Sequence, residues 1–496
     1  MNQTKKILDQ RLEDLAGLLA RHRRLQPFLM GATLCALSVL CLRKVLWGNW
    51  TFHGDTSVWY ALFEYFSNSI YFGSLALWNP YMNGGEPFWP IWSLWRLSEP
   101  GTTFFAFLAK TVHYDNIFVL HKTIFFSQCL AIIVGVAFLV RQLTKRNFPG
   151  LMSGLLFCLY FLSHYAVDIH VMAVYVWPYI VLFWLRFLEK RSSKDFLVFC
   201  FCLGLYIGSG SYPVIAGITL LFFVIPLTFL ADTAEKRLEM RRIDFFLQKE
   251  SLTKFALGLG LIVLLSGPFL VSALYLRDEV FPIARVAADR SAFEDPSRSV
   301  LDYGYLLGSG TSSTLKELLR SLASYPSAGM VLGLLSNSLV FCGLGFAFVR
   351  SAPFLLLLAV SVGLALGVNA PFHQTISAIF PPLFYVRNTF VFESFAAIFM
   401  AVIQGFGWKC FQDWLSPRWL FGCAAGIGLL SLIAALDFIE PKMARSYVTE
   451  AQYYADFDRH ARPMTPLEPR IFAMKRTGWY VMSWSLCFTE PIQPFK

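Results

Sequence analysis

Long apolar runs separated by short polar turns dominate the sequence from residue 25 to residue 436. A helical run of roughly 18 apolar residues is long enough to cross about 30 Å of hydrocarbon. The pattern therefore predicts an all-α polytopic membrane protein with about 11 transmembrane helices (roughly 9 to 13). The predicted spans are 25–46, 118–140, 148–166, 171–188, 196–208, 212–230, 255–276, 331–349, 353–369, 389–407 and 419–436. The number of spans is given as a range because two short segments, 101–112 and 371–383, are ambiguous. The second is Pro-rich and is predicted to be partly re-entrant.

The polar stretches divide the chain into three parts. Residues 1–24 carry leucines at helical spacing among Lys and Arg, which predicts either an amphipathic helix on the cytoplasmic membrane face or a plain topology-setting tail. Residues 25–436 form the membrane module, with sizeable external loops at 47–117 and 277–330. Residues 437–496 form a small external tail, for which a β-rich structure is one interpretation.

The charge distribution orients the module. The formal net charge is +10, but its Lys and Arg cluster in alternate turns between the apolar runs, as the positive-inside rule requires of cytoplasmic loops. We therefore expect a cytoplasmic N-terminus and contacts with membrane lipids, and no nucleic-acid partner. Only 15% of residues are charged, whereas soluble domains average about 25%.

The first external loop is the most distinctive stretch. It holds seven of the 14 tryptophans, and indole rings favour the membrane headgroup layer. We expect an interfacial helix over 56–71 and a rigid turn in the sequence LWNPYMNGGEP, which contains Glu86.

Asp55 is the first candidate for a catalytic residue. Just outside the first span, beside His53 and within reach of Glu64, it could serve as a general base or a metal ligand. The alternative is that Asp55 caps the helix that follows it. With Glu86, the residues His53 and Glu64 are predicted to bind substrate.

A second cluster comprises His164, Asp168 and His170, in a turn without Lys or Arg. With Asp55 these residues predict a divalent cation site for Mg²⁺ or Mn²⁺. The alternative is that they hydrogen-bond the backbone of the turn.

External arginines form a third group. Arg285, Arg290 and Arg387 are predicted to bind phosphate, because a guanidinium meets phosphate with two parallel hydrogen bonds. The alternatives are contacts with lipid headgroups and, for Arg387, an ion pair with Glu393. No phosphate-binding glycine loop or dinucleotide fingerprint is present in the sequence, so we expect an activated substrate to arrive within the membrane rather than as a cytosolic nucleotide.

Several blocks, in this order, resemble the YfhO-type bacterial membrane proteins of the GT-C glycosyltransferase superfamily. The matching blocks are Gly54-Asp55, LWNPYMNGGEPF at 77–88, the Trp-Pro helix at 167–190, SGSYPVIAG at 209–217, the segment 267–285 and the segment 365–392. In the last block Arg387 matches the first Arg of the family motif, while Asn388 to Phe390 supply neither its Pro nor its second Arg.

The resemblance implies a GT-C-like fold and transfer of a sugar from a polyprenyl-phosphate carrier to an envelope glycan, lipid or protein on the outer face of the bacterial plasma membrane. It implies that Asp55 acts as base or metal ligand and that Asp168 occupies a second acidic site. Two alternatives stay open: a transporter or flippase for a lipid-linked saccharide, and a non-catalytic scaffold that works with an envelope-assembly partner protein.

Overall fold

The computed structural model describes a helical bundle with two short β ladders. The described residues are 25–47, 50–52, 55–73, 78–79, 86–87, 97, 99–113, 117–164, 173–190, 192–210, 212–235, 249–275, 330–367, 371–380, 383, 386, 389, 391–434, 436 and 447–449. The amphipathic segment 1–24, most of the loop 277–330 and the tail beyond residue 449 lie outside them.

The helices follow the apolar runs. In chain order they are α1 (Leu25–Trp47), α2 (Asp55–Tyr71), α3 (Pro100–Thr111), α4 (Ile117–Thr144), α5 (Asn147–His164), α6 (Trp177–Lys190), α7 (Ser193–Gly208), α8 (Tyr212–Glu235), α9 (Lys249–Tyr275), α10 (Met330–Phe346), α11 (Phe348–Ala365), α12 (Pro371–Ile379), α13 (Val391–Trp414) and α14 (Pro417–Ala434). A 3₁₀ turn, Ala173–Val176, precedes α6. The strands are β1 (Trp50–Phe52), β2 (Trp78–Asn79), β3 (Glu86–Pro87) and β4 (Tyr447–Thr449).

Hydropathy and exposure together give the fold its membrane character. Four described segments are long and apolar enough to cross a membrane: Gln26–Arg43, Val119–Thr144, Thr253–Val271 and Val391–Trp414. Only 11% of the Thr253–Val271 segment is buried, so α9 presents a broad apolar surface. Such a surface is unfavourable in water and suits hydrocarbon. The chain is therefore an α-helical protein of membrane-embedded character, while the count of about 11 spans and the GT-C architecture stay predictions.

Helix α13 forms the centre of the bundle, with 94% of its apolar segment buried. The indole of Trp177 in α6 packs edge-on against Phe395 and Phe399, with ring centroids 5.0 and 5.6 Å apart. At Gly407 the backbones of α13 and α10 approach so closely that an added Cβ would lie 2.2 Å from the carbonyl oxygen of Leu339. Small residues permit this close approach, as is common between membrane helices.

Side-chain contacts establish the helix directions. Gln26 lies beside Asn147 and Ser38 beside Cys158, so α1 and α5 run in the same direction. Gly150 of α5 lies beside Arg141 of α4, while Gly154 lies beside Ala137, so α4 and α5 run in opposite directions. Trp177 donates to the carbonyl of Gly217 and Trp184 to Thr228, so α6 and α8 are also parallel. These directions fit a bundle whose successive membrane spans alternate in direction.

The alternation creates two distinct ends. We call the end where α1 and α5 finish and α4 begins the loop end, because the first loop extends from it. We call the opposite end, where α1 and α5 begin and α4, α6 and α13 finish, the basic end.

Several helix boundaries differ from the predicted spans, and two of these differences change the position of a charged residue. Arg350, expected in the turn between two spans, lies in the first turn of α11, because the backbone breaks earlier, at Ala347 (φ −123°, ψ 31°). The Ser351 amide donates to the Ala347 carbonyl, which starts the new helix. Helix α13 continues to Trp414 instead of ending near residue 407. Lys409 therefore lies on the end of a helix rather than in a loop.

Candidate functional site

Two short β ladders anchor the first loop. Strand β1 pairs antiparallel with β4 of the tail, with Trp50 opposite Thr449 and Phe52 opposite Tyr447. Strands β2 and β3 pair with Trp78 opposite Pro87 and Asn79 opposite Glu86, which confirms the predicted turn. The β1–β4 pairing requires the first loop and the tail to lie on the same side of the bundle.

Asp55 is the first residue of α2, three residues beyond the end of β1. A helix N-terminus carries partial positive charge and stabilises a carboxylate there. The position suits both of the predicted roles, a reactive carboxylate held by the helix and a simple cap. The side chain of Asp55 and that of Glu86 are outside the described part of the structure.

Helix α2 was predicted to lie at the membrane interface, and this prediction is wrong for its second half. Residues 62–67 are consecutive and all buried, so this half has no face left for a membrane surface. Glu64 is only 6% exposed and lies inside the protein. The reason is that α2 is covered by α3 and by the start of α4, where Phe63 lies 6.4 Å from the ring of His121.

A group of buried polar residues lies where α2, α3 and α4 meet. We call it the polar floor; it comprises Glu64, Glu99, Thr102, His121, Lys122 and Gln128, each at most 7% exposed.

Glu99 is the centre of this group and is completely buried. The amide nitrogen of Gln128 donates to its two carboxyl oxygens at 3.3 and 3.2 Å, and the hydroxyl of Thr102 donates to Oε2 at 3.3 Å. Thr103 Oγ1 donates to the carbonyl of Leu97 at 3.0 Å and ties the start of α3 to the loop before it. These bonds fix the carboxyl group of Glu99 between α3 and α4.

Burying so many polar groups is costly unless each is hydrogen-bonded or paired. In membrane proteins such residues are commonly retained for function. Four of these residues were not among the predicted site residues: Glu99, His121, Lys122 and Gln128. A signal was present, because His121, Lys122 and Gln128 interrupt the apolar run 118–140.

The side chains of the remaining predicted residues are not described. Only residues that precede or follow them in the chain show that they belong to the loop end. His164 is the last residue of α5, and its side chain is not described. Asp168, His170, His53, Arg285 and Arg290 are outside the described residues. So is Arg387, but the residues around it are fixed: Val386 and Thr389 are buried, and Thr389 Oγ1 donates to the Ala365 carbonyl at 2.9 Å. The end of α11 is thereby joined to the start of α13.

No group of three His, Cys, Asp or Glu side chains suited to a metal ion occurs among the described residues. The predicted ligands Asp55, Asp168, His164 and His170 have side chains outside that part of the chain. The divalent cation therefore stays a prediction.

His373 in α12 is a further residue that the sequence analysis passed over. It is completely buried at the loop end, with Nδ1 3.2 Å from the hydroxyl of Ser377, which also donates to the His373 carbonyl at 2.8 Å. Burial lowers the pKa of His373 to about 4, so the ring is neutral at physiological pH. Pro381 and Pro382 follow shortly after and end this short helix, as predicted.

The sequence matches no model of a known protein family and no curated protein. The functional interpretation therefore depends on the residues and on the resemblance described above.

Proposed function

We propose that the protein is a membrane glycosyltransferase that moves a sugar from a polyprenyl-phosphate donor to an acceptor hydroxyl in the cell envelope, at the loop end. One observation carries the proposal. The helix that begins at Asp55, the helix that ends at His164 and the anchored segment around Arg387 all lie at the end of the bundle that holds the polar floor.

In this proposal Asp55 takes the proton from the acceptor hydroxyl. The hydroxyl oxygen then forms a bond to the anomeric carbon of the sugar as the bond from that carbon to the carrier phosphate breaks. Arg387, with Arg285 or Arg290, holds the departing phosphate, since fixed positive charge stabilises the negative charge that develops on it. His53 and Glu86 line the sugar and acceptor sites, and the resemblance implies inversion at the anomeric carbon. Glu64, which was also predicted to bind substrate, is buried between helices and belongs to the polar floor instead.

Asp168 supports Asp55 from the turn after α5. A Mg²⁺ or Mn²⁺ ion bound by these two carboxylates with His164 or His170 would supply additional positive charge beside the phosphate. Carboxylate and imidazole ligands suit such ions, so the residue types fit the predicted cation.

A carrier for a lipid-linked saccharide is the second candidate, and one observation favours it. Glu99, His121 and Lys122 are ionisable groups buried near the start of an apolar helix, which is a common feature of transport pathways. A carrier would bind the same lipid donor without breaking the bond between sugar and phosphate. A non-catalytic scaffold would also leave that bond intact.

The test is release of sugar from a radiolabelled polyprenyl-phosphate hexose by the purified full-length protein in nanodiscs. We expect Asp55→Asn to lower turnover by at least about 100-fold while donor binding is retained, because loss of a general base typically has an effect of this size. Asp413→Asn, which removes an exposed carboxylate at the basic end, is the matched control and keeps wild-type turnover.

Full activity of Asp55→Asn would contradict the assigned role of Asp55. Donor binding without turnover in the wild-type protein would contradict the enzymatic proposal and support the carrier.

A further inference from the structure

The basic end contains a large pocket. A cavity of about 930 Å³ opens between the starts of α1 and α5 and the ends of α4 and α13. Its polar side carries Arg141, Lys145, Arg146 and Lys409; we call the cavity the basic pocket. It lies at the end of the bundle opposite to the polar floor and shares no residue with the proposed catalytic site.

The pocket has an excess of positive charge. Lys145 pairs with Glu189 at 2.5 Å, and Arg146 lies 3.8 Å from Asp413. Within the described part of the chain, no carboxylate pairs with Arg141 or Lys409. The pocket therefore attracts an anion.

Arg141 is held in position for such an anion. Its Nε donates to Oδ1 of Asn147 at 2.5 Å, and the amide of Asn147 in turn donates to the side-chain oxygen of Gln26. This chain of hydrogen bonds joins α4, α5 and α1 and orients the guanidinium group. An oriented guanidinium matches the geometry of a phosphate, and less conformational freedom is lost on binding.

Two helix N-termini add to the effect. α1 begins at Leu25 and α5 at Asn147, and Gln26 and Asn147 line the pocket. The amide groups at the start of a helix and its dipole favour an anion there.

The rest of the wall is apolar and points to a lipid rather than a soluble phosphate. Leu29, Met30, Phe148 and Leu151 line the cavity, and Phe28, which precedes Leu29 in the chain, is 72% exposed. Acyl chains would cover these side chains, whereas a soluble anion would leave them in contact with water.

Gln412 indicates which chemical group the headgroup carries. Its side-chain carbonyl oxygen is buried in the lining and has no hydrogen-bond donor among the described residues. A headgroup hydroxyl would supply that donor.

We propose that the basic pocket binds the phosphate headgroup of an anionic, hydroxyl-bearing lipid in the membrane leaflet at the basic end. The positive-inside rule assigns that leaflet to the cytoplasmic side. The proposal is independent of the proposed transferase activity, because its measurement is binding alone.

Native mass spectrometry of the detergent-purified full-length protein tests the proposal. The probes are phosphatidylglycerol, phosphatidylcholine with the same acyl chains, and soluble glycerol 3-phosphate. We expect the wild-type protein to retain phosphatidylglycerol more strongly than phosphatidylcholine. Lys409→Gln is expected to lower that retention about fivefold, as loss of one cation near an anionic lipid surface typically does.

Arg141→Lys is a second variant that keeps the charge and removes the forked geometry, and it is also expected to lower retention. Lys190→Gln is the matched control, because Lys190 is an exposed cation at the same end outside the pocket, and it keeps wild-type retention. Equal retention of the two lipids would overturn the proposal. So would wild-type retention in both pocket variants, or displacement of phosphatidylglycerol by an equal concentration of glycerol 3-phosphate.

Discussion

The polar floor at the loop end and the basic pocket at the opposite end place their charged side chains in opposite surroundings. At the loop end, Glu64, Glu99 and Lys122 are buried between helices. At the basic end, Lys145, Arg146 and Glu189 are exposed around an open pocket. Exposed charges cost little to keep, whereas buried ones must be paired or hydrogen-bonded inside the protein. We therefore expect changes at the loop end to affect stability and catalysis, and changes at the basic end to affect mainly ligand binding.

The largest effect on stability is expected from Glu99→Ala. This change leaves the Gln128 amide and the Thr102 hydroxyl buried without their acceptor, which typically costs about 1 to 3 kcal/mol. Glu99→Gln keeps one acceptor oxygen and should cost less. Thermal unfolding in detergent is the measurement, with Glu189→Ala at the basic end as the matched control. An equal loss of thermal stability in Glu99→Ala and Glu189→Ala would contradict the expected difference between the two ends.

The second prediction concerns pH and His373. The pKa of His373 in the folded protein is about 4, below the ordinary value of 6.5. The folded state therefore binds fewer protons than the unfolded state between these values, and this contribution to stability is present above pH 6.5 and lost as the pH falls towards 4. His373→Gln should flatten that part of the stability profile. The measurement is the midpoint of thermal unfolding between pH 6.5 and 4. An equal fall of this midpoint in the wild-type protein and in His373→Gln would assign the acid sensitivity to other groups.

The smallest effect is expected for the pair Lys145–Glu189. Burial raises the pKa of Glu189, but the hydrogen bonds and charge from Lys145 and the hydrogen bond from Gln142 outweigh it, so the net pKa is lowered. The contribution to stability is thus present above the unfolded pKa and lost as the pH falls through the folded one. Because both side chains are largely exposed, Glu189→Gln should cost no more than about 1 kcal/mol, and less at high salt. A larger, salt-independent loss would show that the basic end also depends on its charges for stability.

The sequence predicted the helices well because a membrane span needs a long apolar run and little else. The observed α1 and α5 begin and end within about two residues of their predicted limits, which is the usual uncertainty of helix ends. The turn around LWNPYMNGGEP was also readable, since its Gly and Pro residues favour a chain reversal.

Contacts between segments that are distant in the chain could not be predicted from apolar runs or turn residues. The pairing of β1 with β4 joins residues almost 400 positions apart, and neither three-residue strand has a strong pattern of its own. The burial of α2 depends on α3 and α4, so its own amphipathic sequence suggested a surface helix. The basic pocket likewise requires four helix ends to meet, and Lys409 enters it only because α13 continues beyond its apolar run.

The candidate site was predicted only in part. Asp55 was correctly expected at the start of a helix in the first loop. Glu64 was predicted as a site residue, but the polar floor as a group was missed. Its members come from α2, α4 and the start of α3, and the sequence does not show that these segments meet.

The most direct measurement compares two variants with two readouts. Sugar release from the polyprenyl-phosphate donor and retention of phosphatidylglycerol are measured on the same preparations of Asp55→Asn and Lys409→Gln. The account predicts that Asp55→Asn loses turnover and keeps lipid retention, whereas Lys409→Gln loses lipid retention and keeps the larger part of its turnover. Loss of both functions in each variant, or loss of turnover in Lys409→Gln alone, would contradict the separation of the two ends.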